Sequence, residues 1–70
     1  MRYSVVIEQS QTGYSAYAPD LPRCVAAGQD LDKVQRQIRD AIAFHIDGLR
    51  EEGQAVPAPS TVVTYVEVAA

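Results

Sequence analysis

The sequence predicts an α+β domain of order β-β-β-α-β, an antiparallel meander plus a fourth strand, with one helix packed on one sheet face. Three observations carry that prediction. Tyr3 to Glu8 alternates apolar and polar positions with the period of a half-buried strand. Tyr14 to Gly28 compresses a short alternating strand, a proline-bracketed turn, a second apolar strand and a glycine stop into one stretch. A run from Asp30 to about Glu52 then places apolar residues at spacings of three and four, the stripe of an amphipathic helix.

In the first strand Tyr3, Val5 and Ile7 share one side, with Ser4, Val6 and Glu8 on the other. The polar run Gln9 to Gly13 ends in glycine and reads as a hairpin loop. Tyr14 to Ala18 makes the second strand, with Ser15 and Tyr17 opposite Tyr14, Ala16 and Ala18. Pro19 and Pro22 lack amide donors, so they stop the ladder and stiffen the turn around Asp20 and Leu21. Cys24 to Ala27 is a short third strand.

Asp30 is the expected helix N-cap, because its side chain can accept from the free amides of the first turn. Leu31, Val34, Ile38, Ala41, Ile42, His45 and Leu49 form the stripe, widened by Phe44 and Ile46. Gly53 stands where a left-handed C-terminal cap is wanted. The linker Gln54 to Ser60 is kept extended by Pro57 and Pro59. Thr61 to Val68, rich in β-branched residues, reads as a fourth strand returning to a sheet edge or a vacant slot.

Seventy residues form a single domain, 1–70, with a thin core. One cysteine and one histidine exclude an internal disulfide and a structural zinc site, so oligomerisation is the remaining staple and a dimer or larger assembly is expected. A net charge of -3 argues against a stand-alone nucleic-acid binder and suits a basic partner. There is no apolar run of membrane-spanning length and no signal-like start, which points to the cytoplasm. One helix covers only one sheet face. Val6 and Tyr17 on the other face, with Val63 and Tyr65 of the fourth strand, are therefore the expected oligomer interface.

The ordered set Tyr3-Ser-Val-Val-Ile-Glu8, Gly13-Tyr14, Ala18-Pro-Asp-Leu-Pro22, Cys24, Val25 and Gly28 opens a wider pattern. It continues with Ala41-Ile42, Leu49-Arg50-Glu51-Glu52-Gly53, Val56-Pro57 and Pro59. Taken together it resembles the N-terminal domain of HicB-like antitoxins. The resemblance implies a partial ribonuclease-H-like fold and a non-catalytic role: docking on a small basic toxin ribonuclease of the HicA type and masking its active surface. The chain departs from that family at Arg23, where glycine is usual. It also stops at Ala70, where many such antitoxins continue into a DNA-binding segment, so no C-terminal DNA-binding extension and no direct DNA binding are expected.

The residues themselves offer no catalytic constellation. Glu8 and Glu67 lie near strand ends and Asp20 in the turn, whereas two-metal nucleases need carboxylates converging on ions about 4 Å apart. His45 sits on the helix stripe without a nucleophile beside it and reads as packing, as does Cys24. Lys33, Arg36 and Arg39 are interleaved with Asp32 and Asp40, the pattern of a solvated helix face. No cofactor and no metal are expected. Asp47, Glu51 and Glu52 gather at the helix C-terminus, where the macrodipole disfavours them, and suit an acidic patch for a basic partner. The rigid turn supplies Asp20, Leu21 and Arg23 as further expected contacts. A second reading stays open: a stand-alone homo-oligomeric module that binds a small ligand or nucleic acid without a toxin.

Overall fold

The computed structural model describes residues 1–69. Its elements are β1 (Val6–Ser10), β2 (Gly13–Tyr17), β3 (Val25–Gly28) and α1 (Leu31–Glu51). The three strands form one antiparallel sheet in the order β1-β2-β3, and the helix packs on one face, as the α+β prediction requires.

Register decides which side chains meet the helix. Ile7 pairs with Ala16 and Ala16 with Ala26, so one cross-strand row points inward. Its alanines are small enough to let the helix lie close to the sheet. The adjacent row, Val6 with Tyr17 and Tyr17 with Val25, points away from the helix. The β1–β2 hairpin turns at Gln11 and Thr12 and re-enters the ladder at Gly13. Gly13 has φ 152, and a Cβ there would collide with the Gly28 carbonyl and lie 2.8 Å from Gln29 Cα. Only glycine permits that approach.

The helix is closed at both ends by its own sequence. Asp30 is the N-cap, its carboxylate accepting from the Lys33 amide at 3.1 Å. At the other end Gly53 takes φ 69. Its amide donates to the Arg50 carbonyl at 3.1 Å and the Gln54 amide to the Leu49 carbonyl at 2.8 Å, the paired bonds of a Schellman cap. The 21 residues span about 31 Å, nearly twice the length of a five-residue strand. The C-terminal part of the helix therefore overhangs the sheet. Val34 and Ile38 are buried over the strands, Ile42 and Ile46 are half-buried further along, and Phe44 is 82% exposed.

The core is Ala16, Ala18, Leu21, Cys24, Val34 and Ile38, with Tyr3, Val5, Ile7 and Tyr14 packed around it. Leu21 is fully buried. It was expected to project from the proline turn as a partner contact, and the structure corrects that. The leucine instead folds inward and joins the buried cluster of Ala16, Ala18, Cys24, Val34 and Ile38.

The fourth strand is the second correction. Thr61 to Val68 is not paired into the sheet. Its root is held by side chains instead of a ladder: the Ser4 hydroxyl donates to the Thr61 carbonyl at 2.9 Å, and the Tyr3 hydroxyl donates to the Pro57 carbonyl. Beyond that root Val62, Tyr65, Val66 and Val68 are all more than three-quarters exposed. β-Branched alternation favours a pleated, half-buried surface, but without a paired edge it forms no strand. The radius of gyration is 13.9 Å, against about 11 Å for a compact chain of this length. The segment is a projecting arm.

Candidate partner-binding surface

Four places in this fold carry chemistry: the proline turn, the open sheet face with the arm, the acidic helix end, and a groove beside β1. The turn is a tight reversal. The Leu21 amide donates to the Ala18 carbonyl at 3.1 Å, the Cys24 amide to the Leu21 carbonyl at 3.2 Å, and the Ala18 amide to the Cys24 carbonyl at 3.1 Å. Arg23 closes the reversal with φ 74, the left-handed region that favours glycine. Its side chain is exposed. The strain locates the reason for the arginine's oddity: the backbone keeps the conformation a glycine would take. Arg23→Gly is expected to stabilise the fold by about 0.5 kcal/mol, relief of left-handed strain outweighing glycine's extra unfolded-state entropy. Chemical denaturation of both forms reads this directly, and an unchanged or lower midpoint contradicts it.

Asp20 is the hub of the turn. Its carboxylate accepts from the Thr61 hydroxyl at 2.6 Å, the Ser60 amide at 2.9 Å, the Ser60 hydroxyl at 3.0 Å and the Thr61 amide at 3.1 Å. The Thr61 hydroxyl bond, then the two backbone amides, hold its pKa at about 2, down from 3.8. Asp20 was expected as a partner contact, and here its acceptors are engaged in anchoring the arm's root. Because the folded pKa lies below the unfolded one, the clamp is complete above pH about 4 and is lost as pH falls through about 2. The Ser60 and Thr61 amide resonances should titrate with a midpoint near 2, and Asp20→Asn should abolish that titration. A midpoint near 4 in the intact chain would show that the four bonds do not form.

On the open sheet face Val6 is half-buried, Tyr17 is 42% exposed and Val25 is 65% exposed, aligned across the three strands. The neighbouring row, Glu8, Ser15 and Ala27, is exposed and mostly polar, so the apolar patch occupies one end of the face. Val63 and Tyr65, the other expected interface residues, lie on the arm at 52% and 93% exposure. Asp47, Glu51 and Glu52 are exposed at the overhanging helix end, with Arg50 among them.

The groove was not foreseen. The helix lies over β2 and β3 and not over β1. A cleft of about 550 Å³ is left between the inner side of β1 and the helix, floored by Tyr3, Val5, Ile7, Ile38 and Ile42 with Arg39 at its rim. The signal that could have found it is the surplus of inward residues on the first strand. A helix one residue-row wide cannot cover all three strands.

Cys24 is buried with its thiol near the Ala41 carbonyl, and burial pushes the thiol pKa up, away from a reactive thiolate. His45 is half-buried on the helix. Among the described residues no cluster of three or more His, Cys, Asp or Glu side chains could hold a metal ion, and no helix is long and apolar enough to cross a membrane.

The family model for the HicB-like antitoxin of bacterial toxin–antitoxin systems matches residues 3–69. The chain belongs to that family. An uncharacterised 14.9 kDa protein from the rep-hol intergenic region of Haemophilus phage HP1 is 33% identical over 66 residues, which cover 94% of this chain and 50% of that protein. The chain thus spans half the length of its phage relative. A UPF0150 protein of Helicobacter pylori is 30% identical over 70 residues, covering 99% of this chain and 97% of the relative. Among solved structures, a chain of a HicA3 and HicB3 toxin–antitoxin complex superposes with a TM-score of 0.69 at 30% identity, covering 86% of this chain and 70% of that one.

Proposed function

We propose that this chain is a non-catalytic inhibitor that binds a small basic toxin ribonuclease of the HicA type and masks its active surface. The observation that carries the reading is the likeness to a chain found in a HicA3 and HicB3 toxin–antitoxin complex, together with membership of the antitoxin family. The net charge of -3 and the exposed Asp47, Glu51 and Glu52 support a basic partner, whose approach they would steer. Arg23, exposed on the strained turn, is the turn residue we assign to that contact. We place the protein in the cytoplasm as a homo-oligomer, a dimer or larger, with the meander and helix forming part of a ribonuclease-H-like fold and Val6, Tyr17, Val63 and Tyr65 lying in the oligomer contact.

Co-expression with the small toxin encoded beside its gene tests the reading. Growth should be restored when the antitoxin is induced, and the two proteins should co-purify. Continued growth arrest despite soluble, folded antitoxin would overturn it.

A further inference from the structure

We infer that Phe44, toward the overhanging end of α1, is the anchor that enters an apolar pocket on the basic toxin, with Asp40, Asp47 and Glu51 meeting Lys or Arg side chains around that pocket. The assignment rests on the antitoxin reading above and names the residues of this chain that make the contact.

Two choices in this helix run against stability, and they stand about one turn apart. Phe44 holds an aromatic ring 82% exposed midway along a 21-residue helix. Gly48 follows four residues later, inside the helix, where glycine is disfavoured relative to alanine. Nothing lies within 4 Å of where its Cβ would stand, so close packing within this chain does not require the glycine. A side chain at position 48 would lean back along the helix, over the turn that carries Phe44. Its absence leaves bare backbone beside the ring, a notch that the wall of a partner's pocket can occupy.

Charge selects the occupant. Phe44 shares a stripe with Asp40, Asp47 and Glu51, at spacings of four, three and four. The four side chains therefore fall within about 60° of arc on the helix, and all are exposed. No Lys or Arg shares that arc between Asp40 and Glu51, and Arg50 points about 120° away from Phe44. A ring flanked by three carboxylates fits a basic protein with an apolar pocket. It does not fit nucleic acid, whose phosphates the carboxylates would repel. Nor does it fit a second copy of this chain, because a two-fold contact through the stripe would set acid against acid. The basic toxin has the required chemistry. An aromatic side chain at the centre of a contact, ringed by polar groups, supplies much of the affinity, and the charges speed the encounter.

Calorimetric and stopped-flow binding to the small toxin encoded beside the gene tests the anchor. The intact chain is compared with Phe44→Ala, Gly48→Gln and the double variant Asp47→Asn/Glu51→Gln. Alanine and glutamine are favourable in a helix, so the first two variants should melt no lower than the intact chain. Phe44→Ala should weaken toxin binding at least about a hundred-fold. Gly48→Gln should weaken it about ten-fold by obstructing the ring, so one substitution raises stability and lowers affinity, a split that a merely structural glycine would not give. The charge variant should slow association, flatten its salt dependence and leave dissociation nearly unchanged. Toxin binding that ignores Phe44→Ala or Gly48→Gln overturns the anchor and leaves the antitoxin reading standing. Association that keeps its full salt dependence in the charge variant overturns the acidic rim. An intact chain that does not bind the toxin overturns the antitoxin reading, and the anchor with it. A lower oligomeric mass of Phe44→Ala with toxin affinity intact, read by sedimentation equilibrium, assigns the ring to a contact between copies and also overturns the proposal.

Discussion

Gly13→Ala should lower the stability of this domain by about 3 kcal/mol, more than half of what a chain of this size ordinarily possesses. Two costs combine. The backbone at Gly13 has φ 152, where an L side chain is strained, and the new methyl would meet the Gly28 carbonyl and lie 2.8 Å from Gln29 Cα. Both obstacles are backbone, so they cannot rotate aside. Relief would need β3 to move off β2 just where the chain enters the helix, which begins at Leu31. Gly48→Ala is the matching control. Gly48 lies inside the helix with open space where a Cβ would stand, and the substitution should stabilise by about 1 kcal/mol. Urea midpoints of the two variants should move in opposite directions; parallel shifts would contradict this geometry.

Leu21→Ala is the other large effect. A fully buried leucine in a core of six residues should cost about 3 kcal/mol, because the prolines on either side keep the turn from collapsing into the cavity. The experiment separates two roles. A core residue loses stability when truncated and leaves the binding of remaining folded molecules nearly unchanged. A contact residue does the reverse. Thermal unfolding with a binding titration below the transition should show the first pattern.

These results mark what the sequence made legible. Local features were readable because their causes are local: Asp30 capping at Lys33, Gly53 in a left-handed cap, and the meander set by short connections. The row Val6–Tyr17 follows from alternation plus one hairpin. What was not legible depends on distant partners. The inward turn of Leu21 needed the positions of three other elements. The Asp20 clamp joins residues 40 and 41 positions apart, and no local pattern announces it. The fourth strand failed for a related reason: its residues have the propensity, but a strand forms only with a backbone ladder, and the segment is joined at its root by side chains alone. Arg23 was the intermediate case. Its departure from the family's glycine flagged a backbone constraint, and φ 74 is that constraint.

Inhibition of a toxin is tested most directly by a calorimetric titration of the purified chain into the small toxin encoded beside its gene, with ribonuclease activity followed in the same mixtures. A fixed stoichiometry, a dissociation constant in the nanomolar range, roughly −12 kcal/mol, and loss of RNA cleavage that tracks occupancy are expected. Absence of binding, or binding that leaves cleavage intact at saturation, would contradict it.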